Sequence, residues 1–206
     1  MMNVVVIDYG MGNLGSVRRA FEECGASRVL ISDDPKALSG ATHIVLPGVG
    51  AFANGMAHLE KKGWIEEMTS QIEQGIPMLG ICLGMQLLAE TGYEGGQTRG
   101  LGFIPGTVNK LIASNTQTRI PHVGWNEVYE SRPSVLFKGI SPGTDFYFVH
   151  SFHLAPSKNE FAIGTTPYCG DFVSAVQTGN IFGVQFHPEK SAKAGFQILR
   201  NFLSVR

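Results

Sequence analysis

The stretch Gly75-Ile-Pro-Met-Leu-Gly-Ile-Cys-Leu-Gly-Met-Gln-Leu-Leu-Ala-Glu90 restricts the possible folds more than any other. Residues 77–81 are a short apolar run of the kind that forms a strand buried on both faces of a sheet. Residues 85–90 are mostly strong helix formers. Between them, Gly80-Ile-Cys-Leu-Gly84 has the form of a nucleophile elbow with Cys in place of Ser. A sharp strand-to-helix turn strains the backbone at its central residue, and flanking glycines remove side chains that would collide there. Cys82 then projects at a helix N-terminus, where unpaired N–H groups and the macrodipole favour a thiolate. The Leu83 N–H lies at the same helix start and is a donor for an oxyanion. The same letters also suit a small buried cysteine at a strand end, so the choice rests on the rest of the chain.

The composition narrows the class. A chain of 206 residues can bury a large core, and one domain over residues 1–206 is expected. The formal net charge of -1 gives no reason to expect nucleic acid or an anionic membrane as partner. No apolar run is long enough to span a bilayer, and the first residues lack a signal-like pattern. Cys24, Cys82 and Cys169 form neither a disulfide framework nor a metal-binding spacing. No metal or other cofactor is therefore expected, and a reducing cytoplasm is the expected location.

Residues 3–8 read as a buried strand that ends at Gly10-Met-Gly-Asn-Leu-Gly15. A helix follows over residues 14–23 with Leu14, Val17, Ala20 and Phe21 on one face, then a strand over 28–31. This βαβ start implies a largely parallel sheet. Gly10, Gly12 and Gly15 also match a dinucleotide-binding fingerprint, with Asp33 or Asp34 near the place of a ribose-binding acid. A dinucleotide-binding module is therefore the rival from another class. Tyr9 and Asn13 suit, equally, a loop that meets another protein.

The third strand, residues 43–46, runs into Pro47-Gly-Val-Gly50. Two glycines around one valine allow close approach to a ligand or rotation of a peptide plane. Beside the elbow, the Gly48, Val49 and Gly50 N–H groups become candidates for the second half of an oxyanion hole. His43 reads as structural, and His58 as part of a solvated face on a helix over 52–62. Residues 64–74 continue helical, with Ile65, Met68 and Ile72 at helix spacing and Gly75 ending the run. Residues 92–106 hold six glycines and read as a long pliable loop with Glu94 as its only acid. Short strands are expected over 107–111, 122–128, 145–149, 161–165, 172–177 and 180–186, the last two as a hairpin. Ser191 is placed to cap a final helix that buries Phe196, Leu199, Phe202 and Leu203. The fold class expected is α/β: a central, mostly parallel mixed sheet flanked by helices, with antiparallel strands added.

Phe186-His-Pro-Glu-Lys190 supplies a base and a carboxylate two residues apart. In an extended chain such residues share a side, which puts Glu189 beside His187. A nucleophilic cysteine needs this pair: the imidazole takes the thiol proton and the carboxylate fixes its tautomer and ring angle.

Together, the Gly80–Gly84 elbow and His187-Pro-Glu189 resemble the class I (triad) glutamine amidotransferases. Asp8-Tyr-Gly-Met-Gly-Asn-Leu-Gly-Ser-Val17, Pro47-Gly-Val-Gly-Ala-Phe52, His122-Val-Gly-Trp-Asn126, Tyr147-Phe-Val-His-Ser151 and His187-Pro-Glu-Lys-Ser191 narrow the likeness. It is most similar to the glutaminase subunits of imidazole glycerol phosphate synthases, over nearly the whole chain. The resemblance implies a flavodoxin-like fold and glutamine as substrate. It implies attack by Cys82 on the side-chain amide, a thioester intermediate, and proton transfer by His187 held by Glu189. Leu83 and the Gly48–Val49–Gly50 stretch would form the oxyanion hole. Gly50, Gln86, Glu94, Ser151 and the Phe152 backbone would hold the amino and carboxylate groups of glutamine; the family often has Tyr at the Phe152 position. His150 and His153 carry no proton-transfer role in this pattern. The ammonia would pass to a separate (β/α)8-barrel cyclase of histidine biosynthesis, with Asn13, Trp125, Tyr147 and Lys190 on the face that meets it. An isolated subunit is expected to be nearly inactive, a peptide of the 48–50 stretch presenting C=O to the oxyanion site until the partner docks. The glycine loop after the first strand then faces the partner, which displaces the dinucleotide reading. A glutaminase serving anthranilate, guanylate or pyridoxal phosphate synthesis is the nearest alternative.

Overall fold

The computed structural model describes residues 2–113, 116 and 118–206. The first half of the chain alternates strand and helix: β1 (Asn3–Ile7), α1 (Leu14–Glu23), β2 (Arg28–Ser32), β3 (His43–Gly48), α2 (Phe52–Lys61), α3 (Trp64–Glu73), β4 (Met78–Cys82) and α4 (Leu83–Leu87). Then come β5 (Ala89–Gly92), β6 (Thr98–Arg99), β7 (Ile104–Lys110), β8 (His122–Glu130), β9 (Thr144–His150) and β10 (Phe152–Pro156). The chain closes with β11 (Ala162–Pro167), β12 (Asp171–Thr178), β13 (Ile181–Val184) and α5 (Ala192–Leu203).

Successive side chains of a strand point to opposite faces, and in β1 both faces are buried. Val4 and Val6 join one core with α1 and α5, whereas Val5 and Ile7 join another with α2 and α3. That is why β1 reads as an unbroken apolar run rather than an alternating one. In the first core, Phe202 of α5 meets Phe21 and Phe182 edge-on, with centroids 6.2 and 6.1 Å apart. His43 is structural, as its setting suggested: its ring bonds to Val205 O at 3.2 Å and meets Phe202 edge-on.

The main sheet has the order β2-β1-β3-β4-β13-β12-β11-β8-β9. Its first five strands run parallel and the remaining four are added antiparallel. The order 2-1-3-4 is the doubly wound, flavodoxin-like one, in which ligands collect beyond the carboxyl ends of the strands. The expected hairpin is β12–β13, with Thr178 opposite Ile181.

Three expectations need correction. The helix over 85–90 is shorter and earlier: α4 ends at Leu87, and the chain turns at once into β5. Residues 92–106 are not a pliable loop. They include β6 and the start of β7, part of a second sheet of order β10-β7-β5-β6. Three of the glycines there, Gly92, Gly100 and Gly106, mark close packing; a Cβ on Gly92 would lie 2.5 Å from the Phe52 ring. Ser191 sits at the N-cap of α5, but its hydroxyl makes no cap bond. Instead it donates to His187 O at 2.7 Å and accepts from Tyr147 N–H at 3.0 Å, tying the turn before α5 to β9. Among the described residues, no helix is long and apolar enough to cross a membrane.

Candidate active site

The carboxyl ends of β3, β4 and β13 meet at one place. Cys82, the last residue of β4, has φ 55° and ψ −110°, a conformation that L side chains adopt at a cost of about 1–3 kcal/mol. The neighbouring backbone compels it: α4 lies directly on β3 and β4, and a Cβ on Gly84 would overlap Leu46 O. The five-residue α4 supplies little macrodipole, so local N–H groups such as that of Leu83 take the role assigned to a longer helix. Gly48 lies opposite Cys82 in register, and Gly50 has φ 107°.

His187 and Glu189 follow β13. The His187 Nδ1 to Glu189 Oε1 distance is 2.8 Å, and both side chains are almost fully buried. Their meeting has a different local cause from the extended chain expected, because Pro188–Lys190 is a 3-10 turn. His187 Nε2 makes no hydrogen bond. Burial pushes the imidazolium down, but its interactions with Cys82 and with the Glu189 carboxylate outweigh it and raise His187 to about 9. Negative charge on Cys82 therefore favours the imidazolium.

A cavity of about 480 Å³ opens beside the sulfur, lined by Val49, Gly50, Ala51, Cys82, Leu83, Gln86, Glu94, Val149, His150, Ser151 and Phe152. It is larger than one amino acid needs. Every residue expected to hold glutamine lies on its wall. Two have further duties: Glu94 Oε2 accepts from Phe52 N–H at 2.8 Å at the start of α2, and Gln86 Nε2 donates to Phe152 O at 2.8 Å. His150 lines the cavity but is committed to structure, its Nδ1 2.9 Å from Phe152 O.

The four residues expected to face a partner form one surface. Asn13 and Lys190 line a narrow cleft that also includes Val49, His187 and Glu189. Lys190 Nζ lies 5.9 Å from the Tyr147 ring centroid, and Tyr147 meets Trp125 edge-on at 6.1 Å. On the outer side of β8 and β9, Val123 pairs with Val149 and Trp125 with Tyr147. Val123, Trp125 and Val149 are exposed, as is Val49 beside the cavity.

Sequence reasoning missed two buried residues at the site. Gln185 is fully buried with Nε2 3.7 Å from Cys82 Sγ. It was findable, being two residues before His187 in the same segment. Tyr9 is also fully buried, and its hydroxyl, which abuts Gly48, has no hydrogen-bond partner. Burial and the charge at Cys82 both raise the Tyr9 phenol far above its usual range. Asp34, a candidate ribose ligand of the rival reading, accepts instead from Lys36 N–H at 3.0 Å. Among the described residues, no group of three or more His, Cys, Asp or Glu is arranged to hold a metal ion.

Residues 5–205 match the family model "Glutamine amidotransferase class-I". A protein from Moorella thermoacetica named imidazole glycerol phosphate synthase subunit HisH is 50% identical over 202 residues, covering 98% of this chain and 94% of its own. The HisH subunit of Aquifex aeolicus is 44% identical over 201 residues, covering 98% and 96%. A solved glutamine amidotransferase superposes with a TM-score of 0.75 at 17% identity, covering 98% of this chain and 97% of the other, a likeness of fold.

Proposed function

The chain belongs to the class I glutamine amidotransferases, and from that membership we propose that it releases ammonia from glutamine through Cys82, as one glutaminase domain. Its relatives make it the glutaminase subunit of an imidazole glycerol phosphate synthase, an enzyme complex of histidine biosynthesis. The observation that carries the chemical reading is the strained Cys82 beside a buried His187–Glu189 pair and a cavity with room for an amino acid.

In the proposed reaction, Cys82 Sγ attacks the side-chain carbonyl carbon of glutamine. The oxyanion is held by Leu83 N–H and by an N–H of the Gly48–Gly50 stretch, each worth about 3 kcal/mol in comparable sites. The imidazolium of His187, oriented by Glu189, passes its proton to the departing nitrogen, which leaves as ammonia. His187 then takes a proton from water as that water attacks the thioester, and glutamate and the thiolate are regenerated. Gly50, Gln86, Glu94, Ser151 and the Phe152 backbone position the amino acid.

The ammonia goes to a (β/α)8-barrel cyclase docked on the surface of Asn13, Trp125, Tyr147 and Lys190, in a cytoplasmic heterodimer. The exposed apolar strip of β8 and β9 beside the triad cleft supports this placement. The test is glutamate release, measured with and without the cyclase and its nucleotide substrate. Turnover that depends on the cyclase and disappears in Cys82→Ser is expected. Turnover that survives Cys82→Ser would overturn the reading, as would failure of a glutamine-like diazo-ketone to label Cys82.

A further inference from the structure

A continuous line of hydrogen bonds runs from β8 to the nucleophile, outside the triad. Asn126 Nδ2 is 3.2 Å from His122 Nε2, and His122 Nδ1 is 3.0 Å from His150 Nε2. His150 Nδ1 is 2.9 Å from Phe152 O. That oxygen also accepts from Gln86 Nε2 at 2.8 Å, and Gln86 Nε2 donates in addition to Gln185 Oε1 at 3.0 Å. Gln185 Nε2 ends the line, 3.7 Å from Cys82 Sγ.

Chemistry determines the direction of every bond. A carbonyl only accepts, so His150 Nδ1 and Gln86 Nε2 both carry hydrogen toward Phe152. Burial pushes His150 down to about 3 and His122 to about 4, so each ring is neutral with one N–H at neutral pH. His150 Nε2 must then accept from His122 Nδ1, and His122 Nε2 from the Asn126 amide. Asn126 is oriented independently, since its Oδ1 accepts from Glu127 N–H at 2.8 Å and its Nδ2 faces Pro167 O at 3.4 Å. At the other end Gln86 spends both hydrogens. Gln185 is left to turn its oxygen to Gln86 and its NH2 to the sulfur. The flipped amide would set two NH2 groups against each other and an oxygen against a thiolate.

We propose that Gln185 is a further catalytic residue, its amide N–H stabilising negative charge on Cys82 Sγ, with its orientation set by Gln86 and the Phe152 carbonyl. Hydrogen bonds to charged groups are stronger than neutral ones, and stronger still where water is excluded. All the side chains from His122 to Gln185 are buried. The proposal rests on the glutaminase reading for what the thiolate attacks, but its test does not use turnover.

The test is the rate at which iodoacetamide alkylates Cys82 in the full chain, read by peptide mass spectrometry from pH 5 to 10, with Cys24 and Cys169 as internal references. Gln185→Met is expected to slow Cys82 alkylation about tenfold at pH 7 and to move the rate profile about one pH unit upward. Gln185→Leu, which is of similar size and brings neither donor nor charge, should move it in the same direction and carries the test if Gln185→Met fails to fold. An unmoved profile in folded Gln185 variants overturns the catalytic role. Failure of unsubstituted Cys82 to alkylate at any pH would overturn this proposal and the glutaminase reading together.

Discussion

Cys82 holds a conformation suited to glycine, and only its sulfur requires the side chain there. Glycine normally destabilises a chain relative to alanine, but at this backbone angle the order should reverse. Cys82→Gly is expected to unfold at higher urea than Cys82→Ala, by about 1–3 kcal/mol, while neither releases glutamate. The opposite order would show that the elbow is not strained. Tyr9 gives a second residue-scale prediction. Its buried hydroxyl has no partner, so Tyr9→Phe should leave the melting temperature unchanged or raise it, the gain being about 1 kcal/mol at most. A clear loss of stability would show that the hydroxyl has a partner in solution. Cys82, His187 and Glu189 were legible because each sits in a short motif with its own chemical logic. Gln185 was passed over although it lies two residues before His187, and nothing in a lone tyrosine announces that the Tyr9 hydroxyl is buried.

Among the elements, β8 and β9 carry a pH-dependent liability. His122 and His150 are buried, with folded values near 4 and 3 against an ordinary 6.5. The unfolded chain therefore binds more protons than the folded one between those limits. The stability these rings contribute is fully present above pH 6.5 and is lost as pH falls through about 4 for His122 and about 3 for His150, by about 1.4 kcal/mol per pH unit within each ring's window. His187, raised to about 9, acts in the opposite window: its contribution is complete below 6.5 and is lost as pH rises through 9. Urea unfolding at pH 7 and pH 5 should show a marked acid loss that His122→Phe reduces; an equal loss in both proteins would contradict the assignment. The elements themselves were only partly legible. Residues 85–90 have helical letters, but Leu88 is followed at once by a strand because Ala89 and Thr91 pair with β7. The six glycines of residues 92–106 resemble a loop, yet Gly92, Gly100 and Gly106 sit where a Cβ would collide with neighbouring chain. Propensity describes a segment in isolation, whereas these segments answer to their neighbours.

At the scale of the whole molecule, the exposed strip on β8 and β9 lies beside the cleft that leads to His187. A glutaminase left running alone would waste glutamine, and the glycines around Val49 allow a peptide to rotate when a partner arrives. The isolated chain is expected to turn over glutamine at a small fraction of the rate of the complex; equal rates would refute the gating. Lys190→Glu should weaken association with the cyclase about tenfold without lowering the melting temperature, as measured by titration calorimetry and thermal unfolding. By itself the sequence determined the α/β class, the strand-to-helix elbow at Cys82, the parallel start and the pairing of His187 with Glu189, because periodicity and short motifs are local properties. Only the tertiary structure decided that residues 89–110 and 152–156 build a second sheet, and that six polar residues from Asn126 to Cys82 join in one line. Those features depend on which distant backbones come within hydrogen-bonding distance, and no local pattern of letters encodes that distance.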